Sequence, residues 1–433
     1  MNCGNAPRRV FHFRVRPNPA PSVRSFLCVR PPPERGANVK PSLEKPAVLA
    51  LNCDWPASKG GIPAMNRQLL TAFAADGHRV ACLVEAPTSG DIEDAAAHGV
   101  ELYAAERTPA GPSMVLDSPA ARLFRPGILL GHDRFTGPSA WVQKHLYHQS
   151  ASLVHIVHTA PAEIERFKGS LAATERAEQR ERITRRVAAG ANVVGAVGPR
   201  LQRYTEDLIE DGSSPNRVVR LDPGLGPLWP GTRRVPPKRQ VLMLGRTSDL
   251  ELKGLDIAAR SIAAVPDADA TTLGLLVRGA PPGECDSLHH TLVALSGIAR
   301  ERIDVRPFTV DPDEVRRDLL RSLVCVMPSR VEGFGLVCLD AIAAGTPVLV
   351  SSKSGAAELL RERLGRLAEP MVVEIVDEPN TDVRVWSAAI ARVVADPVAA
   401  LRHADEVRHR LAPELTWQRT AAAIVEAAAG LPV

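Results

Sequence analysis

The sequence predicts an α/β protein of two doubly wound halves facing one another across a cleft. Three observations predict it. Short apolar runs alternate with helix-period segments from about residue 46, the alternation restarts near residue 239, and a stretch dense in turn residues separates the two series. Strand, loop, helix and strand at such short intervals require parallel pairing with helices on both faces. That arrangement places a ligand outside the carboxyl ends of the strands.

Ala47–Leu51 is the first apolar run, ended by Asn52-Cys53-Asp54 and then Gly60-Gly61. Met65, Leu69, Leu70 and Phe73 then recur at helical spacing up to a stop at Gly77. His78–Val84, Gly127–Leu130, Leu153–Val157 and Val193–Val197 are the next strands of this half. The turn-rich link holds Gly224, Gly226, Pro227, Pro230, Gly231, Pro236 and Pro237. Arg239–Leu244 opens the second series, followed by a helix over Leu255–Val265. Strands at Leu273–Val277, Ile303–Val305, Leu323–Met327 and Pro347–Val350 continue it. The expected organisation is a tail over 1–45, a first domain over 46–225, a linker over 226–238 and a second domain over 239–410. A last helical segment, 411–433, completes the chain.

The 433 residues are 45% apolar and 24% charged, which excludes a disordered chain. The formal charge of +4 belongs to two different regions. Residues 1–45 hold nine Lys and Arg against two acids, and eight of the 37 prolines; the remainder carries a net −3. The bulk of the chain is therefore slightly acidic, and charge implies no nucleic-acid partner. The tail reads as a disordered, non-functional extension, with a transit peptide or a start assigned too far upstream as the alternatives. Arginines 14, 16, 24 and 30 interrupt every candidate signal-peptide core. Seven scattered cysteines with no Cys-x-x-Cys, and no apolar stretch near the ~18 residues of a membrane span, predict a soluble cytoplasmic protein.

The segment richest in chemistry is Pro328-Ser329-Arg330-Val331-Glu332-Gly333-Phe334-Gly335-Leu336, which follows a strand and opens a helix. Gly333 and Gly335 let backbone approach a ligand, and a helix start presents unpaired N–H groups, a combination suited to a diphosphate. Glu332 stands before the helix, where a carboxylate faces sugar hydroxyls, and Asp340 lies inside it. A generic strand-to-helix turn with an ordinary helix acid is the plain alternative.

Pro-Ser-x-x-Glu-Gly-Phe-Gly-Leu, the acid eight residues after the Glu, and Ala-x-Ala-x-Gly-Thr-Pro-Val resemble the donor-site signature of retaining glycosyltransferase family 4. The resemblance runs through most of residues 46–425. It implies the GT-B fold, two Rossmann-like domains across a cleft, and transfer of a sugar from a nucleoside-diphosphate donor to an acceptor hydroxyl. The second acid of the family's motif is Asp340 here, one methylene shorter than the usual Glu. The resemblance implies that Arg246 and Lys253 hold the diphosphate, in place of a divalent metal, so neither metal nor cofactor is expected. Two fixed cations there stabilise a leaving group whose negative charge grows as the glycosidic bond breaks. It also places Gly60 and Gly61 over the donor phosphates, Arg306 at the nucleobase, and Phe334 and Leu336 in the donor loop.

Five of the twelve histidines fall between His132 and His158. His132 follows the strand Gly127–Leu130 and is expected on a loop at the cleft edge, where the resemblance sets it beside the donor sugar. His158, Thr159 and Lys168 resemble a block that shapes the acceptor pocket. A metal site from His145, His148, His155 and His158 is the sharper alternative, against which no thiol or acid pair completes a ligand set. His145 and His148 read as helix-surface residues, and Glu163–Arg186 as one helix with a solvated mixed-charge face. The last helix, through Leu415–Ala428, is expected to cross back onto the first domain, as in the family.

The expected activity is thus a retaining, metal-independent glycosyltransferase. The acceptor and the oligomeric state stay open. One rival is a GT-B protein that has lost catalysis and serves as a nucleotide- or sugar-binding scaffold, for which Asp340 is the favouring position. The other is a dinucleotide or epimerase enzyme, which would need a Gly-x-Gly-x-x-Gly turn that neither first loop has.

Overall fold

A computed structural model describes residues 45–108, 111–112, 115–168, 172–210, 218–231, 233–266 and 272–430; the tail over 1–44 lies outside them. The first half runs β1 (Val48–Leu51), α1 (Gly61–Ala75), β2 (Val80–Val84), α2 (Ser89–Ala97) and β3 (Val100–Ala104). A small hairpin, β4 (Arg107–Thr108) with β5 (Gly111–Pro112), and the short α3 (Pro119–Arg122) lead to β6 (Ile128–His132) and α4 (Asp133–Leu146). After these come β7 (Ser152–Val157), α5 (Pro161–Glu165), α6 (Ala173–Gly190), β8 (Val193–Val197), α7 (Gly198–Ile209) and β9 (Val218–Leu221).

The second half opens with β10 (Gln240–Leu244), α8 (Leu250–Lys253), α9 (Leu255–Ala263), β11 (Gly274–Ala280) and α10 (Cys285–Ser296). It continues through β12 (Ile303–Pro307), α11 (Pro312–Arg321), β13 (Val324–Met327), α12 (Val337–Ala343), β14 (Val348–Ser351) and α13 (Gly355–Leu364). The chain closes with β15 (Val372–Val373), α14 (Pro379–Ala395), α15 (Pro397–Leu411) and α16 (Trp417–Ala428).

Each half is a parallel sheet, ordered β3-β2-β1-β6-β7-β8-β9 in the first and β12-β11-β10-β13-β14-β15 in the second. The central strands read as unbroken apolar runs because helices cover both faces. Val48 and Ala50 join a core with Met65 and Leu69 of α1, while Leu49 and Leu51 join one with Phe124 and Ala140 on the opposite face. In each sheet the strand order reverses beside its first strand, between β1 and β6 and between β10 and β13. The loops leaving those four strands diverge there and open a crevice for a ligand.

α16 packs back on α1, with Thr420 Oγ1 donating to the Asp222 carbonyl at 2.5 Å and Leu225 N to the Leu415 carbonyl at 2.9 Å. Ion pairs also join the halves, Arg203 with Glu358 at 2.5 Å and Arg363 with Asp222 at 2.9 Å.

Several expectations need correction. His132 is not on a loop: β6 extends through it, pairing Gly131 with His155 and His132 with Ile156 of β7. The helix expected over Glu163–Arg186 is two helices, α5 and α6, joined through a 3-10 turn at Arg166–Lys168. Its face is not simply solvated, since Glu165 is buried between Arg176, at 3.0 Å, and Arg180. His148 is not on a helix surface; it lies buried beyond the end of α4, whereas His145 is exposed and stacks on Trp141.

Candidate active site

The loop after β13 is held by its neighbours on both sides. Glu332 N donates to the Lys353 carbonyl at 3.1 Å, and the Glu332 carbonyl accepts from Gly355 N at 3.3 Å. Gly335 has φ +98°, and a Cβ there would stand 2.9 Å from Met327 Cε, so the turn needs glycine. Gly333 lies against the first half: a Cβ on it would meet the His158 carbonyl at 2.6 Å. The ring of Phe334 fills the space over Gly198, at the start of α7. The loop is therefore pinned between the halves, with the Glu332 side chain partly exposed.

Lys253 ends α8 and is followed by Gly254, whose φ of +69° turns the chain into α9. A Cβ at Gly254 would lie 2.0 Å from the Pro328 carbonyl, so this turn is pressed onto the Glu332 loop. The result is an ion pair between Lys253 Nζ and Glu332 Oε2, with Ser329 Oγ donating to the same carboxylate at 3.4 Å. Arg330, unassigned by the sequence reading, anchors the loop: its buried guanidinium makes a two-pronged bond to Asp256 at 2.9 and 2.7 Å.

Arg246 follows β10, two residues past the strand's last residue, and its side chain is exposed with no hydrogen bond or ion pair among the described residues. Its guanidinium carbon is 3.5 Å from the position of a Cβ on Gly60, and Leu336 Cδ1 is 3.8 Å from that of Gly61. Thus the glycine pair after β1, the arginine after β10 and the loop after β13 meet at the two reversal points. Asp340 lies one turn further on, in α12. Asp340 is exposed there.

The first half contributes a buried polar chain. His132 Nε2 lies 3.0 Å from Asn66 Oδ1, and its Nδ1 lies 2.9 Å from His158 Nε2. Because the amide oxygen of Asn66 only accepts, Nε2 carries the proton and His158 donates to Nδ1. With both nitrogens committed and the ring fully buried, His132 in this geometry positions His158 and does not reach a sugar. Burial and the neighbouring His155 hold the His132 ring down at about 3, so it stays neutral. Asp133 joins the ends of β6 and β7, accepting from His158 N at 2.9 Å and Thr159 Oγ1 at 3.0 Å. It is a non-glycine residue at φ +42°, buried, and its carboxyl is pushed up to about 6 by desolvation. The sequence offered one signal for it, an acid directly after His132.

One expected site residue stands elsewhere, and one is described by its backbone alone. Arg306 is on β12 with its guanidinium held by Asp304 at 2.6 Å and Asp318 at 2.8 Å, so it is not a free base-reading group. It lines a cavity beside the linker. The backbone of Lys168 is in the 3-10 turn after α5; its side chain lies outside the described residues. Among the described residues, His, Cys, Asp and Glu form no metal-holding group of three or more, and His145 and His148 do not converge on His155 and His158.

A model of the family described as "Family 4 Glycosyltransferase in conflict systems" matches residues 49–424. The chain is 29% identical to the glycogen synthase of Mycobacterium tuberculosis over 419 residues, 88% of this chain and 93% of that one. It is 30% identical to the D-inositol 3-phosphate glycosyltransferase of Thermobispora bispora over 330 residues, 70% and 71% of the two chains. In fold it matches sucrose-phosphate synthase from Thermosynechococcus elongatus, with a TM-score of 0.65 at 18% identity over 87% of this chain and 97% of that one. It likewise matches Anabaena HepE solved with UDP-glucose, with a TM-score of 0.66 at 15% identity over 89% and 100%.

Proposed function

Since the chain belongs to the family 4 glycosyltransferases and has the GT-B fold, we propose that it transfers a sugar, with retention, from a nucleoside-diphosphate donor to an acceptor hydroxyl without a metal. The observation that carries this reading is the ion pair of Lys253 with Glu332 at the reversal point of the second sheet, where Arg246 also leaves β10 and lies against Gly60. No helix of the described residues is long and apolar enough to cross a membrane.

In this reading the donor's diphosphate lies between Arg246 and Lys253; the amides at the start of α12 are already bonded, Cys338 N to the Gly335 carbonyl at 3.1 Å and Leu339 N to the Leu336 carbonyl at 2.8 Å. Lys253 exchanges part of its pairing with Glu332 for phosphate oxygens. Glu332 then turns its carboxylate to hydroxyls of the sugar. As the glycosidic bond lengthens, negative charge builds on the leaving diphosphate, and the two cations stabilise that charge more than the ground state. The acceptor enters from the side of His158 and Thr159 and attacks on the face the leaving group departs from. The departing phosphate oxygen takes its proton. His132 and Asp133 hold the His158–Thr159 segment in place from below. The buried loop contacts between the halves exclude water, which limits donor hydrolysis.

The test is turnover of UDP-, GDP- and ADP-sugars, read as nucleoside diphosphate release, with the anomeric configuration of the product read by NMR. An axial donor giving an axial product supports retention, and an inverted product rejects it. Nucleotide binding without turnover of any donor and acceptor offered would reject the enzyme reading.

A further inference from the structure

Beside the linker is a cavity of about 580 Å³ that no part of the reaction above uses. It borders Gln240, the first residue of β10, and does not include Arg246, which lies two residues past the last residue of that strand. Its volume is within the range of small-molecule sites, about 300–1,000 Å³. Its lining holds Arg233, Arg234, Lys238, Arg306 and Arg321 together with Trp229, and no acidic side chain.

These cations are not equivalent. Arg233 is spent on structure: its guanidinium donates to the carbonyls of Leu319, Leu320, Ser322 and Gly345, at the carboxyl ends of α11 and α12. Arg306 is held by Asp304 and Asp318 behind the wall. Arg234, Lys238 and Arg321 are exposed and have no hydrogen bond or ion pair among the described residues. The linker that carries two of them is anchored at Trp229, whose N donates to the Ala343 carbonyl at 3.0 Å and whose carbonyl accepts from Arg408 Nη1 at 3.0 Å. The indole of Trp229 is half-buried over Gly231, where a Cβ would stand 2.9 Å from its Nε1.

Three unpaired cations around one concavity repel one another unless an anion lies between them. A single carboxylate cannot reach three such groups, whereas a phosphate chain presents charge along its length. We propose that this cavity is a second anion site, taking a small molecule with a polyphosphate chain. Such a chain occurs in inorganic polyphosphate and in a nucleoside triphosphate; Trp229 supplies a face on which the base of the latter stacks.

The test is calorimetric titration of the full chain with tripolyphosphate, and separately with ATP, at constant ionic strength. The variant Arg234→Ala/Lys238→Ala/Arg321→Ala is expected to lose tenfold or more in affinity for both. Removing the same charge elsewhere, by Arg182→Ala/Arg410→Ala/Arg419→Ala, is expected to leave affinity within twofold. The donor-site pair Arg246→Ala/Lys253→Ala is expected to leave the tripolyphosphate site in place, which separates this inference from the proposed reaction. ATP binding more tightly than tripolyphosphate, with the difference removed by Trp229→Leu, assigns the nucleotide; equal binding assigns the phosphate chain alone. No binding of either ligand by the wild type overturns the proposal. So does equal loss in the two triple variants, or loss confined to the donor-site pair. Should the first triple variant melt below the wild type, its three single variants, each expected to lose about threefold, replace it.

Discussion

The ammonium of Lys253 and the carboxylate of Glu332 form an ion pair between the end of α8 and the loop after β13, 79 residues apart in the chain. Each lies at the carboxyl edge of the sheet, and each answers the other's charge while no donor stands between them. The pair is partly exposed, with 29% and 21% of the two side chains accessible, so its own contribution to stability is modest. Its importance is positional. Glu332→Gln and Lys253→Met are each expected to lower kcat/KM by about 10²–10³-fold, and the double variant by much less than the product. Steady-state release of nucleoside diphosphate checks this, and full additivity would show that the two act independently.

The turn at Gly254 sets Lys253 against that loop. With φ at +69° and the Pro328 carbonyl 2.0 Å from any added Cβ, Gly254→Ala combines backbone strain with a clash. The expected cost is about 2 kcal/mol or more, read as a lower urea midpoint with an unchanged slope.

Arg330 holds the other end of the loop. Arg330→Met leaves Asp256 without its partner and is expected to cost about 3 kcal/mol. Arg330→Lys is expected to recover little, because an ammonium cannot reproduce the two-pronged bond. Recovery of most of the stability by Lys would mean that charge alone matters there.

Asp133 makes the pH dependence testable. Its buried carboxyl titrates near the ordinary 3.8 in the unfolded chain and at about 6 in the folded one, because burial disfavours its charge. Between those values the folded state holds a proton that the unfolded state has released. Stability is therefore lost as pH rises through this window, and the cost is complete above it. The Tm difference between Asp133→Asn and the wild type is expected to be more positive at pH 8 than near pH 3.5. An equal difference at both pH values would show that titration is not the cause.

The sequence was legible where local pattern and burial agree. Strands such as Val48–Leu51 and Val324–Met327 are continuous apolar runs because both faces are covered, and the glycines at 60, 61 and 333 stand where the two halves touch. It was less legible where long-range pairing decides. β6 carries on through Gly131 and His132 because β7 lies alongside, and a histidine is accepted in the sheet when Asn66 and His158 satisfy its nitrogens. β3, with its half-exposed Val100–Ala104, and β9, with Arg220 inside it, lack the apolar run that marked the central strands. Arg306 shows the same limit for a site residue. Its place beside Pro307 was visible, but its capture by Asp304 and by Asp318 of α11 depends on how that helix packs.

The central claim is that Arg246 and Lys253 hold the diphosphate of the donor. The most direct measurement is calorimetric titration of UDP, GDP and ADP into the wild type and the Arg246→Ala/Lys253→Ala variant, at one ionic strength. The account predicts that one of these nucleotides binds the wild type and that its affinity falls at least tenfold in the variant, about 1.4 kcal/mol. Equal affinity in the two proteins, with both folded, would contradict it.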